Sequence, residues 1–194
     1  MKNIKLILII LVTLNPIIYC QSFDEQLIRT LHTERNQSLD GFMKIMSNST
    51  YIILPTIPLS IFIDSRITDN NTKLYNSIET ASSVILSGAT TLLLKEIIKR
   101  PRPYKEHDFV EDMLNEKGYS LPSTHSSTAF SLATSLSLLY PEWYVIIPSY
   151  LWATIVSYSR THLGVHYVTD ILLGAVIGTI ISFGTNYIHQ RIWK

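Results

Sequence analysis

Two separated stretches of the chain carry side chains suited to handling a tetrahedral oxyanion. The first holds Lys95, Arg102 and then Pro122-Ser123-Thr124-His125. The second holds Ser159-Arg160, His166 and Asp170. Phosphoryl transfer spreads negative charge over equatorial oxygens, so it needs positioning and cations more than covalent chemistry. Arginine's planar fork grips an oxyanion at two points, which makes Lys95, Arg102 and Arg160 the candidate anion ligands. Ser123 and Thr124 stand just before an apolar run. A hydroxyl there is a good helix N-cap, and the free backbone N–H groups of such a terminus also bind anions; both readings hold together. His125, on the first turn, is placed to hand a proton to a leaving oxygen. His166 and Asp170 are four apart and share a helix face, where a carboxylate can fix an imidazole tautomer. That spacing alone is a weak signal and fits a structural hydrogen bond better, although an ionisable residue entering an apolar span points to function. A histidine–aspartate metal site is disfavoured, because the neighbouring lysine and arginines repel a cation. Lys99, Arg100 and Lys105 read as solvated charge or lipid-headgroup contacts. His32, His107 and His189 read as solvated, and His162 as a supporting or surface residue.

The elements that must position these residues look membrane-embedded. The 194 residues are 46% hydrophobic and 16% charged, against about 25% charged in a typical soluble chain, and mean hydropathy is +0.20. A net charge of +1 gives no field for nucleic acid. One cysteine, Cys20, excludes an intrachain disulfide and a cysteine-based metal site. Met1–Cys20 has a charged start and a short apolar middle, and reads as a secretory signal peptide or a first membrane span. Gln21–Asn48 has apolar spacings of three and four that predict two short amphipathic helices. Tyr51–Ile63 is uncharged but short, so it must borrow from Ser47–Thr50 to span a bilayer or sit inside protein. Asp64–Asn76 reads as a polar turn. Ile78–Leu94, Ser126–Tyr140, Trp143–Tyr158 and Ile171–Ile188 are further apolar runs. Gly174 and Gly178 mark a close-packing face on the last. Lys95–Leu121 is polar and broken by Pro101, Pro103 and Gly118. The competing reading is a soluble bundle whose core helices are apolar all round.

Parity follows from these runs. Between His125 and Arg160 the chain crosses out and back, turning at Pro141-Glu142, so both polar stretches face one compartment. With a cleaved signal that compartment is external. Arg66, Lys73, Arg191 and Lys194 then lie inside, as the positive-inside tendency expects. The Lys95–Lys105 cluster violates that tendency, and an anionic ligand is its natural reason.

Lys95, six residues, Arg102-Pro103; Pro122-Ser123-Thr124-His125; and Ser159-Arg160, five residues, His166, three residues, Asp170: this pattern resembles the three-part signature of the type 2 phosphatidic acid phosphatase and vanadium-haloperoxidase superfamily. The departure is Thr124, where the family commonly has glycine. The resemblance implies that Lys95, Arg102 and Arg160 hold a phosphate with Ser123 and the Thr124 backbone. His166 would attack phosphorus and form a phosphohistidine, Asp170 would orient it, and His125 would protonate the leaving group and then activate water. It implies no metal and no cofactor. The expected fold is all-α, an integral membrane bundle of about five to six spans with an acid phosphatase/vanadium-haloperoxidase-like core. Residues 21–194 would form one phosphatase domain, with its core at 78–188.

The resulting expectation is a lipid-phosphate phosphatase in a bacterial inner membrane, its site facing the periplasm or exterior. Phosphatidic acid, phosphatidylglycerophosphate, undecaprenyl diphosphate and lipid A phosphates are the candidate substrates. No nucleic-acid partner and no obligate protein partner is expected. The rivals are a secreted acid phosphatase, a vanadium-dependent haloperoxidase, and a non-enzymatic binder or transporter of anionic lipid.

Overall fold

The computed structural model describes residues 23–193, so the expected leader Met1–Cys20 lies outside the described residues. Helix α1 covers residues 23–33. It is followed by α2 (Asp40–Ile67), α3 (Asn71–Ile98), the single turn α4 (Pro103–Glu106), α5 (Thr124–Leu139), α6 (Trp143–His162) and α7 (Val168–Trp193). The described residues contain no strand, and the all-α expectation holds.

Two boundaries differ from the sequence reading. The second short helix expected before Asn48 is the start of α2, which runs on through Pro55 and Pro58. Each proline removes one N–H from the helix ladder, yet long apolar faces on both sides keep the segment helical. The polar turn expected over Asp64–Asn76 shrinks to Thr68–Asn70. Lys73 and Asp64 pair across it at 2.7 Å, and the Asn70 side chain caps α3 by accepting from the Lys73 N–H at 3.2 Å.

The bundle is arranged around α5, which packs on α3, α6 and α7. This helix is only 16 residues long, and Ser126, Ser127, Ser131, Thr134 and Ser135 are among its buried residues. Those hydroxyls meet neighbours instead of lipid. Ser131 Oγ lies 3.0 Å from Ser182 Oγ, and Ser135 donates to Thr80 at 3.3 Å. Interhelical hydroxyl bonds and small side chains are how helices associate where no water is displaced. The outer faces are the reverse: Ile52, Ile85, Leu93, Leu151, Ile180 and Phe183 are all exposed. Trp143 and Trp193 are exposed at one end, as interfacial aromatics are.

Among the described residues, three stretches are long and apolar enough to cross a bilayer: Gln37–Ile67, Asn71–Glu106 and Val168–Trp193. The described residues hold five long helices against the five to six expected spans; three of them are spanning candidates, and α5 and α6 fall short by length or composition. Being enclosed by protein, α5 needs no lipid-facing apolar side chains.

The close-packing face on α7 is real. A Cβ on Gly178 would lie 2.0 Å from the Ser127 carbonyl oxygen, and one on Gly174 would lie 2.5 Å from that of Ser123. Nothing lies within 4 Å of the corresponding position at Gly184. Gly178→Ala is expected to destabilise the bundle by about 1–3 kcal/mol through overpacking, whereas Gly184→Ala is expected to be neutral or to stabilise by about 0.5–1 kcal/mol through helix propensity. Thermal unfolding of the two variants in detergent checks the pair; equal midpoints would overturn the packing account.

Candidate active site

Alternating helix directions bring the C-terminal ends of α3 and α6 beside the N-terminal ends of α5 and α7. The prolines and left-handed turns of the sequence explain why the chain stops there. Lys99 closes α3 in the left-handed conformation at φ 55°, and Pro101 follows. Ser123 caps α5, its Oγ accepting from the Ser126 N–H at 3.4 Å. The Ser123 N–H in turn donates to the Asp170 carbonyl at 3.0 Å, so the starts of α5 and α7 are joined directly.

All the predicted residues lie at this end. Lys95 is buried in the last turn of α3, and its ammonium donates to the carbonyls of Tyr119 at 2.8 Å and Ser120 at 3.0 Å. Arg102 is held by the carbonyls of Val165 and Lys117, both at 3.0 Å. Arg160, 1% exposed, donates to Ser47 Oγ on α2. Arg102 Nε, Arg160 Nε and His125 Nε2 are buried without a partner among the described residues. An unpaired buried donor costs about 1–3 kcal/mol, so a set of them beside one another fits an anion. His125 meets the Tyr51 ring edge-on, with centroids 5.7 Å apart. Thr124, the departure from the family's glycine, accepts from the Thr91 hydroxyl at 3.3 Å.

His166 sits in the loop between α6 and α7, 2% exposed. Its Nδ1 lies 3.3 Å from Asp170 Oδ2, and its Nε2 lies 3.4 Å from Arg102 Nη1. An arginine can only donate, so Nε2 carries the lone pair and the proton is on Nδ1, facing the carboxylate. Burial, reinforced by Lys95, Arg102 and Arg160, holds the imidazole well below its usual pKa. The outcome is an oriented imidazole whose Nε2 electron pair faces the Arg102 guanidinium.

The solvated readings of Arg100, His32, His189 and His107 are corrected here, and His162 is buried and not at the surface. Arg100 is not solvated. It pairs with Asp24 and with Asp170 Oδ1, both at 2.8 Å, and stacks over Tyr167 at 3.9 Å. His32 is buried, with Nδ1 donating to the His162 carbonyl at 3.2 Å and Nε2 accepting from the Glu111 N–H at 3.1 Å. His162 is buried against Asp40 at 2.8 Å. His189 is buried near Glu79 at 3.8 Å. His107 is half-buried, 3.2 Å from the Tyr167 hydroxyl. Lys99 and Lys105 are exposed as expected.

Sequence reasoning missed Glu116 altogether. Its carboxylate pairs with Arg160 at 2.5 Å and Arg102 at 3.4 Å. No periodicity marks a glutamate in an irregular loop; its position nine residues before His125 was the available hint. Ser47 and Asp24 were missed for the same reason, since their partners are distant in sequence.

A helical bundle with an apolar exterior thus carries three cations and two histidines gathered at one end. The chain belongs to the PAP2 superfamily, whose family model matches residues 77–194. A lipid A 4'-phosphatase of Bacteroides thetaiotaomicron is 33% identical over 91 residues, 44% of this chain and 40% of that relative's length. An undecaprenyl-diphosphatase of Sulfolobus acidocaldarius is 28% identical over 83% of this chain and 76% of its own. The crystal structure of Aquifex aeolicus LpxE superposes with a TM-score of 0.71 at 25% identity, covering 84% of this chain and 93% of that one.

The electrostatics of His166 have a direct readout. Because its folded pKa is lowered, the imidazole is expected to stay uncharged as pH falls through the ordinary range near 6.5. Carbon-13 histidine spectra, with the His166 resonance assigned by its loss in His166→Gln, check this. A midpoint at or above 6.5 would contradict the buried, cation-flanked environment.

Proposed function

We propose that this chain hydrolyses a phosphomonoester or diphosphate carried by a lipid, through a phosphohistidine on His166. The observation that carries the reading is the His166 tautomer: Asp170 faces Nδ1, leaving the Nε2 pair beside Arg102. Lys95, Arg102 and Arg160 hold the phosphate oxygens, with Ser123 and the Thr124 backbone at the α5 N-terminus. His166 Nε2 forms the bond to phosphorus as the phosphorus–oxygen bond to the lipid breaks. His125 gives its proton to the departing oxygen. A water then loses a proton to His125 and attacks phosphorus, the phosphorus–nitrogen bond breaks, and inorganic phosphate leaves with the Nε2 pair restored. Asp170 balances the charge on His166 while it is phosphorylated. The cations supply preorganised stabilisation of the developing charge, and the resemblance implies no metal or cofactor in these steps.

Residues 21–194 act as one phosphatase domain in this reading. A bacterial inner membrane, with the site toward the periplasm or exterior, is supported by Arg66, Lys73 and Arg191 lying at the opposite end of the bundle, as the positive-inside tendency requires. A lipid substrate is supported by the site's position at span ends, and the relatives named for lipid A and undecaprenyl diphosphate favour those two classes among the candidates. The exposed apolar faces weigh against a secreted soluble phosphatase.

His166→Ala is expected to lower phosphate release by at least about a thousandfold, and His125→Ala by about 10²–10⁴-fold, with both proteins still inserting and migrating as the parent in size exclusion. Phosphate release from purified lipid phosphates and diphosphates in detergent is the measurement. Undiminished release from His166→Ala would remove the nucleophile assignment.

A further inference from the structure

We propose that Glu116 is a specificity-determining residue: its carboxylate occupies the anion seat between Arg102 and Arg160, yielding to a dianionic terminal phosphate but not to the monoanionic phosphodiesters of the surrounding bilayer. The inference rests on the phosphate-binding reading of those arginines.

The geometry separates a fixed pair of cations from a replaceable acid. The Arg160 and Arg102 side chains are 1% and 4% exposed, and that of Glu116 is 25% exposed. Each arginine has anchors independent of the glutamate, Ser47 for Arg160 and the Val165 and Lys117 carbonyls for Arg102. Their position therefore survives departure of the carboxylate. Glu116 sits in irregular backbone, next to Asn115 at φ 52° and two residues before Gly118 at φ 76°. The adjacent Lys117 carbonyl stays bonded to Arg102 while the Glu116 side chain rotates, so the exchange needs no movement of the loop.

The charges explain why such a competitor is useful. A pocket with three cations beside a bilayer faces phosphodiester headgroups in vast excess over any substrate. A phosphodiester brings one negative charge, the same as the carboxylate it would displace, so the exchange gains little. A terminal phosphate brings about −1.5 to −2 and three strong acceptor oxygens. It replaces the carboxylate with a net gain in charge and also reaches the unpartnered Arg102 Nε and Arg160 Nε. Glu116 thus sets a charge threshold for occupancy.

The test is the binding of inorganic phosphate at pH 8 to purified protein in detergent, followed by titration calorimetry, for the parent and Glu116→Gln. Glu116→Gln is expected to bind phosphate at least about tenfold more tightly. Mixed micelles containing phosphatidylglycerol are expected to weaken phosphate binding by Glu116→Gln while leaving the parent unchanged. Phosphate affinity equal to or weaker than the parent's would overturn the proposal and make Glu116 a residue that positions the arginines. Equal sensitivity of the two proteins to phosphatidylglycerol would overturn the discrimination. If Glu116→Gln does not fold, Glu116→Asp carries the test: its shorter reach is expected to tighten phosphate binding, and unchanged affinity would sink the idea. Absence of phosphate binding by both parent and variants would instead count against the anion site itself.

Discussion

One carboxylate holds the functional end of the molecule together. Asp170 is fully buried and would be intolerable there as an isolated charge. It is met by the Tyr167 N–H at 2.9 Å, by His166 Nδ1 at 3.3 Å and by Arg100 at 2.8 Å. Its own backbone carbonyl accepts from Ser123. A single residue therefore sets the imidazole tautomer, ties the α5 cap to α7, and draws Arg100 and Asp24 into a supporting layer. Removing one partner of such a buried group leaves the others uncompensated.

The same logic governs the cations. Lys95, Arg102 and Arg160 sit close enough to repel one another, and the chain counters this with backbone carbonyls of Tyr119, Ser120, Val165 and Lys117. Carbonyls lower the cost of desolvating a cation without cancelling its charge, so the cluster keeps its positive charge. Among the described residues, Glu116 supplies the one full negative charge directly on the two arginines. The irregular segment between α4 and α5 is thereby a working part of the site: it furnishes carbonyls to two cations and a carboxylate to two.

Behind the site, the bundle inverts the usual distribution of polarity. Small and hydroxyl-bearing residues of α3, α5 and α7 face one another, and the bulky aliphatic residues face outward. This allows the backbones of α5 and α7 to approach until Gly178 is required, and that approach is what sets the distance between the Ser123 cap and Asp170.

Much of this was legible in the residues. The three motifs, their helix termini, the shared compartment of His125 and Arg160 and the glycine face on α7 all follow from local rules of spacing, capping and apolar runs. The errors have one common cause. His32, His189 and Arg100 read as solvated because polar residues near apolar runs usually are, yet each finds a partner on another element. Arg100 lies 76 residues from Asp24 and 70 from Asp170, and His32 lies 130 from His162. Periodicity reports which face of an element is apolar, not which distant side chain will satisfy a polar group upon it. The sequence by itself determined the helical membrane architecture and singled out the cationic and histidine residues that gather at one end, because these rest on patterns within a few turns. The tertiary structure alone decided how their charges are balanced, including the seat taken by Glu116, because charge balance depends on distances between elements that local pattern does not encode.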